Sequence, residues 1–296
     1  MDVMMAAVLP IALVASAGFG VGRCYELDTR TLARVSIYVL FPALILTGLA
    51  ESTVALSSAI AIIAAFLLNT ALLLAIAILC GRGLQFSPDA QKSLIATTIF
   101  ANVGNMGLPF VLFALGEAGL ERAIVYLVGS SLAIASIFPI ALKGAGLRAG
   151  LSLTLRLPVF WAALAGLALQ ASGAMLPEAI ARSITLLGDA AIPVALLMLG
   201  VQLSQTPLRF GRWEWFSALL RLGVSPLSAY GIGRLLGLAG LDLQVVVLQA
   251  AMPVAVNSLI WVTELGGDAP RVARTIILST LLSFLTLPGV LWLSGH

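Results

Sequence analysis

Two short segments that combine asparagine, proline and glycine or other small residues are the best candidates for binding chemistry in this sequence. The first is the run NVGNMGLP at residues 102–109, and the second is the run AMPVAVNS at residues 251–258. Proline removes a backbone donor and glycine permits non-helical backbone, so both segments predict a break in an apolar helix. Backbone that is unwound inside a membrane has to be covered by protein or to line a water-filled cavity.

These breaks predict a binding site made of neutral hydrogen-bond donors. The free N–H groups at the start of each half-helix carry partial positive charge, which suits an anionic ligand. The alternative is a pair of proline kinks whose asparagine side chains merely join neighbouring helices. Gln249, shortly before the second segment, could line the same cavity or bond to a neighbouring helix. The predicted substrate-binding residues are Asn102, Asn105, Pro109, Gln249, Pro253, Asn257 and Ser258.

Asp189 is the carboxylate best placed in the sequence for ion coupling. It lies inside a predicted helix, four residues before Pro193, with no cation at helical spacing in that segment. An ionisable side chain inside a bilayer is costly and usually faces a cavity or a partner, so Asp189 is a candidate proton carrier. If the helix begins later, Asp189 instead lies at the hydrated interface, and the sequence leaves both interpretations open.

Catalysis, metal binding and nucleic-acid binding find little support. The single histidine is the terminal His296, which leaves Ser–His and Cys–His nucleophile systems unavailable, and Gly129-Ser130-Ser131 has no base to partner it. Two cysteines cannot form a metal-ligand cluster by themselves. A net charge of +3 gives no dense basic stripe for nucleic acid. We therefore predict a protein that is not an enzyme, with no cofactor, no metal site and no nucleic-acid partner.

The composition requires a lipid bilayer around most of the chain. Hydrophobic residues make up 60% of the 296 positions and charged residues 10%, whereas a soluble domain has about a quarter charged residues. Since a membrane span needs about 20 apolar residues, we predict an all-α membrane protein with ten transmembrane helices. The predicted spans are residues 4–22, 31–49, 54–80, 92–114, 122–142, 157–173, 180–203, 214–238, 243–263 and 271–293.

The loops between the predicted spans differ in their basic residues. Thirteen lysines and arginines, Arg209 and Arg221 among them, lie in the odd-numbered loops or in the parts of the spans next to them, whereas three lie next to the even-numbered loops. The positive-inside rule places the odd loops in the cytoplasm and both termini on the extracellular or periplasmic side of the cell membrane. Residues 143–157 are predicted to be a cytoplasmic linker. Arg221, in the eighth span, is interpreted as an anchor that reaches the cytoplasmic surface by snorkelling.

Sequence features recur about 148 residues apart. Leu9-Pro10 is matched by Leu157-Pro158, and five such pairs occur in the same order along the chain, which argues against chance similarity of hydrophobic helices. Each half holds five spans, so the two halves cross the membrane in opposite senses. Inverted repeats of this kind are typical of secondary transporters, in which two related units rock around a central site. We predict one repeat over residues 1–146 and a second over residues 147–296, with broken, crossing helices 4 and 9.

Three runs resemble the auxin efflux carrier family: NVGNMGLP, LGDAAIPVALLMLGVQLS from Leu187, and AMPVAVNSLIWVTELGGDAPRVARTIILSTLLSFLTLPGVLWL. That family contains plant PIN-type carriers and bacterial malate or malonate permeases, within a superfamily similar to the bile-acid/sodium symporters. The resemblance implies ten helices, a scaffold and a transport unit assembled from both halves, and an elevator-like motion. It also implies that Asn102 and residues 253–258 contact the substrate carboxylate. Plant carriers have a branched apolar residue in place of Asn257 and a long central hydrophilic loop, so the departures favour a small microbial permease.

The leading functional prediction is a secondary active transporter for small organic anions, such as dicarboxylates or auxin-like carboxylates. Protons are the favoured coupling ion, because a sodium site needs several oxygen ligands and the sequence offers only scattered polar side chains. A sodium-coupled symporter of the bile-acid type and a membrane sensor without transport activity are the alternatives. The sequence leaves the substrate, the direction of transport and the choice between monomer and homodimer open.

Overall fold

The computed structural model describes residues 2–143, 147–205 and 210–295. Arg209, His296, part of the predicted linker and residue 146, the predicted end of the first repeat, lie outside the described residues. In the described part the chain is helical, and its extended pairing is limited to an isolated antiparallel bridge between Ala101 and Val254. The helices are α1 Asp2–Cys24, α2 Thr29–Val35, α3 Phe41–Ala50, α4 Leu56–Gly83, α5 Pro88–Ile99, α6 Leu108–Lys143, α7 Leu147–Arg156, α8 Pro158–Ser172, α9 Glu178–Asp189, α10 Ala191–Gln205, α11 Arg212–Leu219, α12 Ser225–Leu235, α13 Gly240–Ala250, α14 Asn257–Leu265 and α15 Ala269–Ser294.

Helical stretches that are long and apolar enough to cross a bilayer coincide with five of the predicted spans. These stretches are Ala7–Cys24, Thr29–Ala50, Leu56–Gly83, Glu178–Gln205 and Ala269–Ser294. Large apolar side chains on several helices stay exposed, as a surface covered by lipid requires. The chain is therefore an all-α, multi-pass membrane protein. The other five predicted spans fall on shorter, interrupted or kinked helices, so the total of ten stays a prediction.

Three π turns in the described residues each begin six residues before a proline. The turns are Ser36–Leu40, Val103–Gly107 and Leu220–Val224, and the prolines are Pro42, Pro109 and Pro226. Because proline lacks an N–H, the carbonyl four residues before it loses its helical donor. The wider turn pairs each N–H with the carbonyl five residues earlier and so re-satisfies the backbone just ahead of the proline. These three helices therefore widen just ahead of a proline, whereas Pro10 inside α1 and Pro288 inside α15 have no such turn before them.

The sequence predicted a loop between the fourth and fifth spans at residues 115–121, and α6 consists of two helical segments that meet there in a kink. The helix is interrupted there at Gly116, whose φ of 69° and ψ of −167° favour glycine over other residues. Leucine, alanine and glutamate, all good helix formers, lie directly on both sides of this glycine. A single glycine within the predicted loop therefore makes the turn between the two segments.

The helices pack in two sets that share α6. In the first set, α1 lies along α10, and α3 packs against α8 and α9. In the second set, α4 packs against α5 and α12, and α15 packs against α11, α13 and α14. Helix α6 contacts α1 and α3 of the first set and α4 and α13 of the second. The two predicted helix breaks lie within this arrangement, before α6 and between α13 and α14.

Candidate functional site

The two helix breaks that the sequence predicted are present, and their backbones pair with each other. Helix α5 ends at Ile99 and α13 ends at Ala250. Between the breaks, the Asn102 N–H donates to the Pro253 carbonyl at 2.8 Å, and the Ala255 N–H donates to the Phe100 carbonyl at 2.9 Å. These antiparallel bonds satisfy backbone groups that no helix can pair. We refer to the paired residues 100–102 and 253–255 as the junction.

A cavity of about 470 Å³ lies beside the junction, within the size range of small-molecule sites. Both breaks, the π turn Ser36–Leu40, α6 and the start of α8 contribute to its wall. No charged side chain is among the lining residues that the structure describes. The polar lining residues are Ser36, Tyr38, Asn102, Asn105, Ser130, Ser131 and Asn257.

Asn102 is fixed by its backbone, but its side chain is unpaired. Its carbonyl accepts from the Gly107 N–H at 3.0 Å and from the Met106 N–H at 3.3 Å, which closes the first turn after the break. Its side chain is buried, and its Nδ2 has no hydrogen-bond partner in the protein. The buried Ser36 hydroxyl, also in the lining, has none either. An unpaired buried polar group costs about 1–3 kcal/mol, so both groups call for water or a ligand in the cavity.

The other predicted site residues divide between the cavity and the interior. Asn105 and Asn257 both line the cavity, half-buried and exposed respectively. Pro253 is buried and supplies the carbonyl that Asn102 contacts. Pro109, Gln249 and Ser258 are buried outside the lining. The Ser258 hydroxyl donates to the Ala255 carbonyl at 2.6 Å, so it holds the start of α14.

Asp189 lies elsewhere on the molecule. It is the last residue of α9, its side chain is exposed, and it does not line the cavity. The helix stops there because Pro193 has no N–H to offer the Asp189 carbonyl. The predicted proton-carrying role of Asp189 therefore stays a prediction, without a contact to the cavity.

Part of the cavity wall was missed by the sequence reasoning. Ser36 and Tyr38 lie in a π turn, and Ser130 and Ser131 belong to the Gly129-Ser130-Ser131 run that we had considered only as a nucleophile motif. The usable signal for the first pair was Pro42, six residues after Ser36, because the same spacing separates Val103 from Pro109.

The interpretation of Arg221 as a surface anchor was wrong. Its side chain is 2% exposed and is the largest fully buried side chain in the described residues. Its Nη1 donates to the Thr98 carbonyl at 2.7 Å, and its Nη2 donates to the Ser225 hydroxyl at 2.6 Å and to the Ala250 carbonyl. The sequence does not show which main-chain carbonyls a side chain will contact. An arginine near the end of a predicted span was therefore interpreted as one that reaches the membrane surface.

Comparison with known proteins places the chain in a family. The family model described as "Membrane transport protein" matches residues 3–151 and 147–291. An "Uncharacterized transporter" of Methanothermobacter thermautotrophicus is 33% identical over 276 residues, which cover 90% of this chain and 89% of the relative. A second "Uncharacterized transporter", from Methanocaldococcus jannaschii, is 28% identical over 221 residues, or 70% of this chain and 69% of the relative. A "Putative malonate transporter" of Rhizobium meliloti is 28% identical over 208 residues, or 66% of this chain and 64% of the relative. The chain belongs to the membrane transport protein family, the auxin efflux carrier family that its sequence had predicted.

Proposed function

We propose that this protein is a secondary transporter of small organic anions, with malonate and similar dicarboxylates as the leading substrate class. The observation that carries the proposal is the cavity beside the junction. Its polar lining is neutral, and its three asparagines lie at or next to the points where two helices restart. The name of the Rhizobium meliloti relative suggests malonate as the first dicarboxylate to test.

Anion binding follows from the direction of the two restarting helices. The helix that resumes at Val103 and helix α14, which begins at Asn257, both present their N-terminal ends at the cavity wall. The first N–H groups of a helix have no partner within the helix, and they carry partial positive charge. The Ser258 and Leu259 N–H groups of α14 already donate to the Ala255 and Val256 carbonyls. A carboxylate is therefore held by the partial positive charge of the two helix ends and by the unpaired Nδ2 of Asn102. Neutral donors bind the anion without the strong ion pair that would slow its release.

Transport would proceed by alternating access between two inverted halves, residues 1–146 and 147–296. The distribution of basic residues supports ten spans with an odd number in each half. It also supports an extracellular or periplasmic position for both termini. The packing of α1, α3, α8, α9 and α10 as one set supports a scaffold. The set built on α4, α5 and α11–α15 then forms the moving unit, and an elevator-like displacement of this unit carries the junction.

Thermal denaturation of the purified protein tests the proposal. A ligand that binds the folded state raises its stability by about 2.7 kcal/mol at a concentration of 100 Kd. We expect malonate to raise the denaturation midpoint, whereas malonamide, its uncharged diamide, leaves it unchanged. No response to malonate, succinate or an aromatic acetate would contradict the anion proposal.

Flux measurements separate a transporter from a sensor. Purified protein reconstituted in proteoliposomes should accumulate labelled malonate, and the Asn102→Ala protein should not. Binding of malonate without flux under any imposed proton or sodium gradient would instead favour a membrane sensor. Uptake that requires sodium would favour the sodium-coupled symporter.

A further inference from the structure

Arg221 bonds to the ends of both interrupted helices. Thr98 lies in the last turn of α5, which ends at Ile99, and Ala250 is the last residue of α13. The last carbonyls of a helix lack an intrahelical donor and carry partial negative charge. One guanidinium therefore pairs carbonyls from the two C-terminal ends that precede the junction.

The charge of Arg221 has no carboxylate partner. Arg122, Arg182, Arg271 and Arg274 each pair with a carboxylate, whereas among the described residues no carboxylate lies within ion-pair distance of Arg221. Its acceptors are two main-chain carbonyls and the Ser225 hydroxyl, and its Nε has no hydrogen-bond partner in the protein. A cation without a counter-charge is costly in a membrane interior and usually marks a functional position.

The acceptors around Arg221 are themselves held in place. The Ser225 hydroxyl, which accepts from the guanidinium, donates to the Ala250 carbonyl at 2.8 Å. Buried Asn69 donates to the Ser225 carbonyl at 3.4 Å, and it accepts from the Ser228 hydroxyl at 2.6 Å. Carbonyls at half-helix ends together with a hydroxyl are the ligands that monovalent coupling cations take in broken-helix transporters.

We propose that Arg221 is a built-in cation, whose guanidinium fills the position between the ends of α5 and α13 that a free monovalent cation would otherwise occupy. Transport by this chain then needs no bound sodium at this position. This statement about transport rests on the proposed function, whereas the structural role of Arg221 does not. The guanidinium also keeps the two half-helix ends together in the absence of any ion.

Chemical rescue tests the built-in cation without any substrate. Arg221→Ala should lower the denaturation midpoint, and millimolar guanidinium or sodium should restore part of the loss, compared with choline at equal ionic strength. The wild-type protein should respond to guanidinium, sodium and choline alike. Selective stabilisation of the wild type by sodium, or an Arg221→Ala protein that none of these cations rescues, would overturn the proposal.

A second set of variants separates charge from hydrogen bonding and serves if Arg221→Ala does not fold. Arg221→Lys keeps the cation, whereas Arg221→Gln keeps hydrogen-bond donors without the charge. We expect the lysine protein to retain a clearly higher denaturation midpoint than the glutamine protein, and equal midpoints would refute a role of the charge. Ser225→Ala is the matched control, because it removes one acceptor and leaves the cation in place.

The two proposals can fail separately. A wild-type protein that ignores malonate contradicts the proposed function, yet the rescue of Arg221→Ala by guanidinium would still establish the cation position. Conversely, malonate uptake by the wild type together with an Arg221→Ala protein that no cation rescues would support transport and refute the built-in cation.

Discussion

The cavity side and the closed side of the junction use different polar chemistry. On the cavity side, Asn102, Asn105 and Asn257 are neutral, and Asn102 keeps an unpaired donor. On the closed side, which we define by Asn69, Arg221, Ser225 and Gln249, every side chain is buried and none lines the cavity. The permanent charge of Arg221 there is bonded to acceptors of the protein itself, whereas its Nε and the amide of Gln249 have no hydrogen-bond partner in the protein.

This difference indicates how one pair of helix breaks can bind a ligand at its N-terminal ends and be held together at its C-terminal ends. Half-helix N-terminal ends need a negative partner and C-terminal ends need a positive one. In this chain the C-terminal ends have a permanent partner in Arg221, whereas the N-terminal ends at the cavity have only neutral donors beside them. The N-terminal ends at the cavity therefore lack a negatively charged partner, which agrees with an anion as the proposed substrate.

The largest expected effect on stability concerns the two glycines of the π turn Val103–Gly107. A Cβ at Gly107 would overlap the amide of Gln249, which is completely buried, whereas a Cβ at Gly104 would lie 3.6 Å from Leu127 and Phe41. Overpacking of a buried site costs about 1–3 kcal/mol. We expect Gly107→Ala to lower the free energy of unfolding by about that amount and Gly104→Ala to change it much less, as measured by denaturant titration.

A double mutant tests the cause of this effect. If the overlap with Gln249 is responsible, Gln249→Ala should relieve the Gly107→Ala defect, and the two changes should not be additive. Additive losses, or a Gly104→Ala protein as unstable as Gly107→Ala, would show that the closed side is not more tightly packed than the cavity side.

A smaller effect should separate ligand binding from stability in two asparagines. Asn257→Ala removes a cavity donor, and we expect the Kd for malonate to rise about tenfold, or 1.4 kcal/mol, with little change in the denaturation midpoint. Asn69→Ala removes the contacts to Ser225 and Ser228. It should lower stability by about 1 kcal/mol and leave the malonate Kd unchanged. Isothermal titration calorimetry of both proteins with malonate checks these two predictions. A loss of affinity in Asn69→Ala would show that the closed side also contributes to ligand binding.

The sequence was informative on the cavity side because proline and glycine act locally. The runs around Pro109 and Pro253 indicated both helix breaks, and Asn102, Asn105 and Asn257, singled out from the same runs, line one cavity. The apolar composition of the helices indicated the membrane class, since lipid is the solvent that tolerates so much exposed apolar surface.

The closed side could not be read from the sequence, because its contacts join residues far apart in the chain. Arg221 bonds to carbonyls 123 and 29 residues away, and a carbonyl is present at every position whatever the side chain. For Asp189, the local sequence pattern was clear but did not give the direction of the side chain. An acidic residue within an apolar run suggested a cavity, but the direction of its side chain depends on how α9 packs, and the structure leaves it exposed.

The smallest effect concerns two aromatic pairs. Trp261 stacks on Phe100 in the cavity wall, with ring centroids 6.3 Å apart and planes 7° apart, whereas Trp161 meets Phe160 edge-on at 5.2 Å outside the cavity lining. An aromatic pair contributes about 0.5–1.5 kcal/mol beyond its buried area. Trp261→Leu and Trp161→Leu should therefore lower stability to a similar, small extent.

Only the first change should alter the ligand response, because Phe100 belongs to the junction and Trp261 to the cavity wall. We expect Trp261→Leu to weaken the malonate-induced rise of the denaturation midpoint and Trp161→Leu to preserve it. Trp261→Phe keeps an aromatic ring opposite Phe100, so it should recover most of the response. If Trp161→Leu weakened the response as strongly as Trp261→Leu, the effect would reflect general loss of packing, and the cavity wall would have no special part in binding.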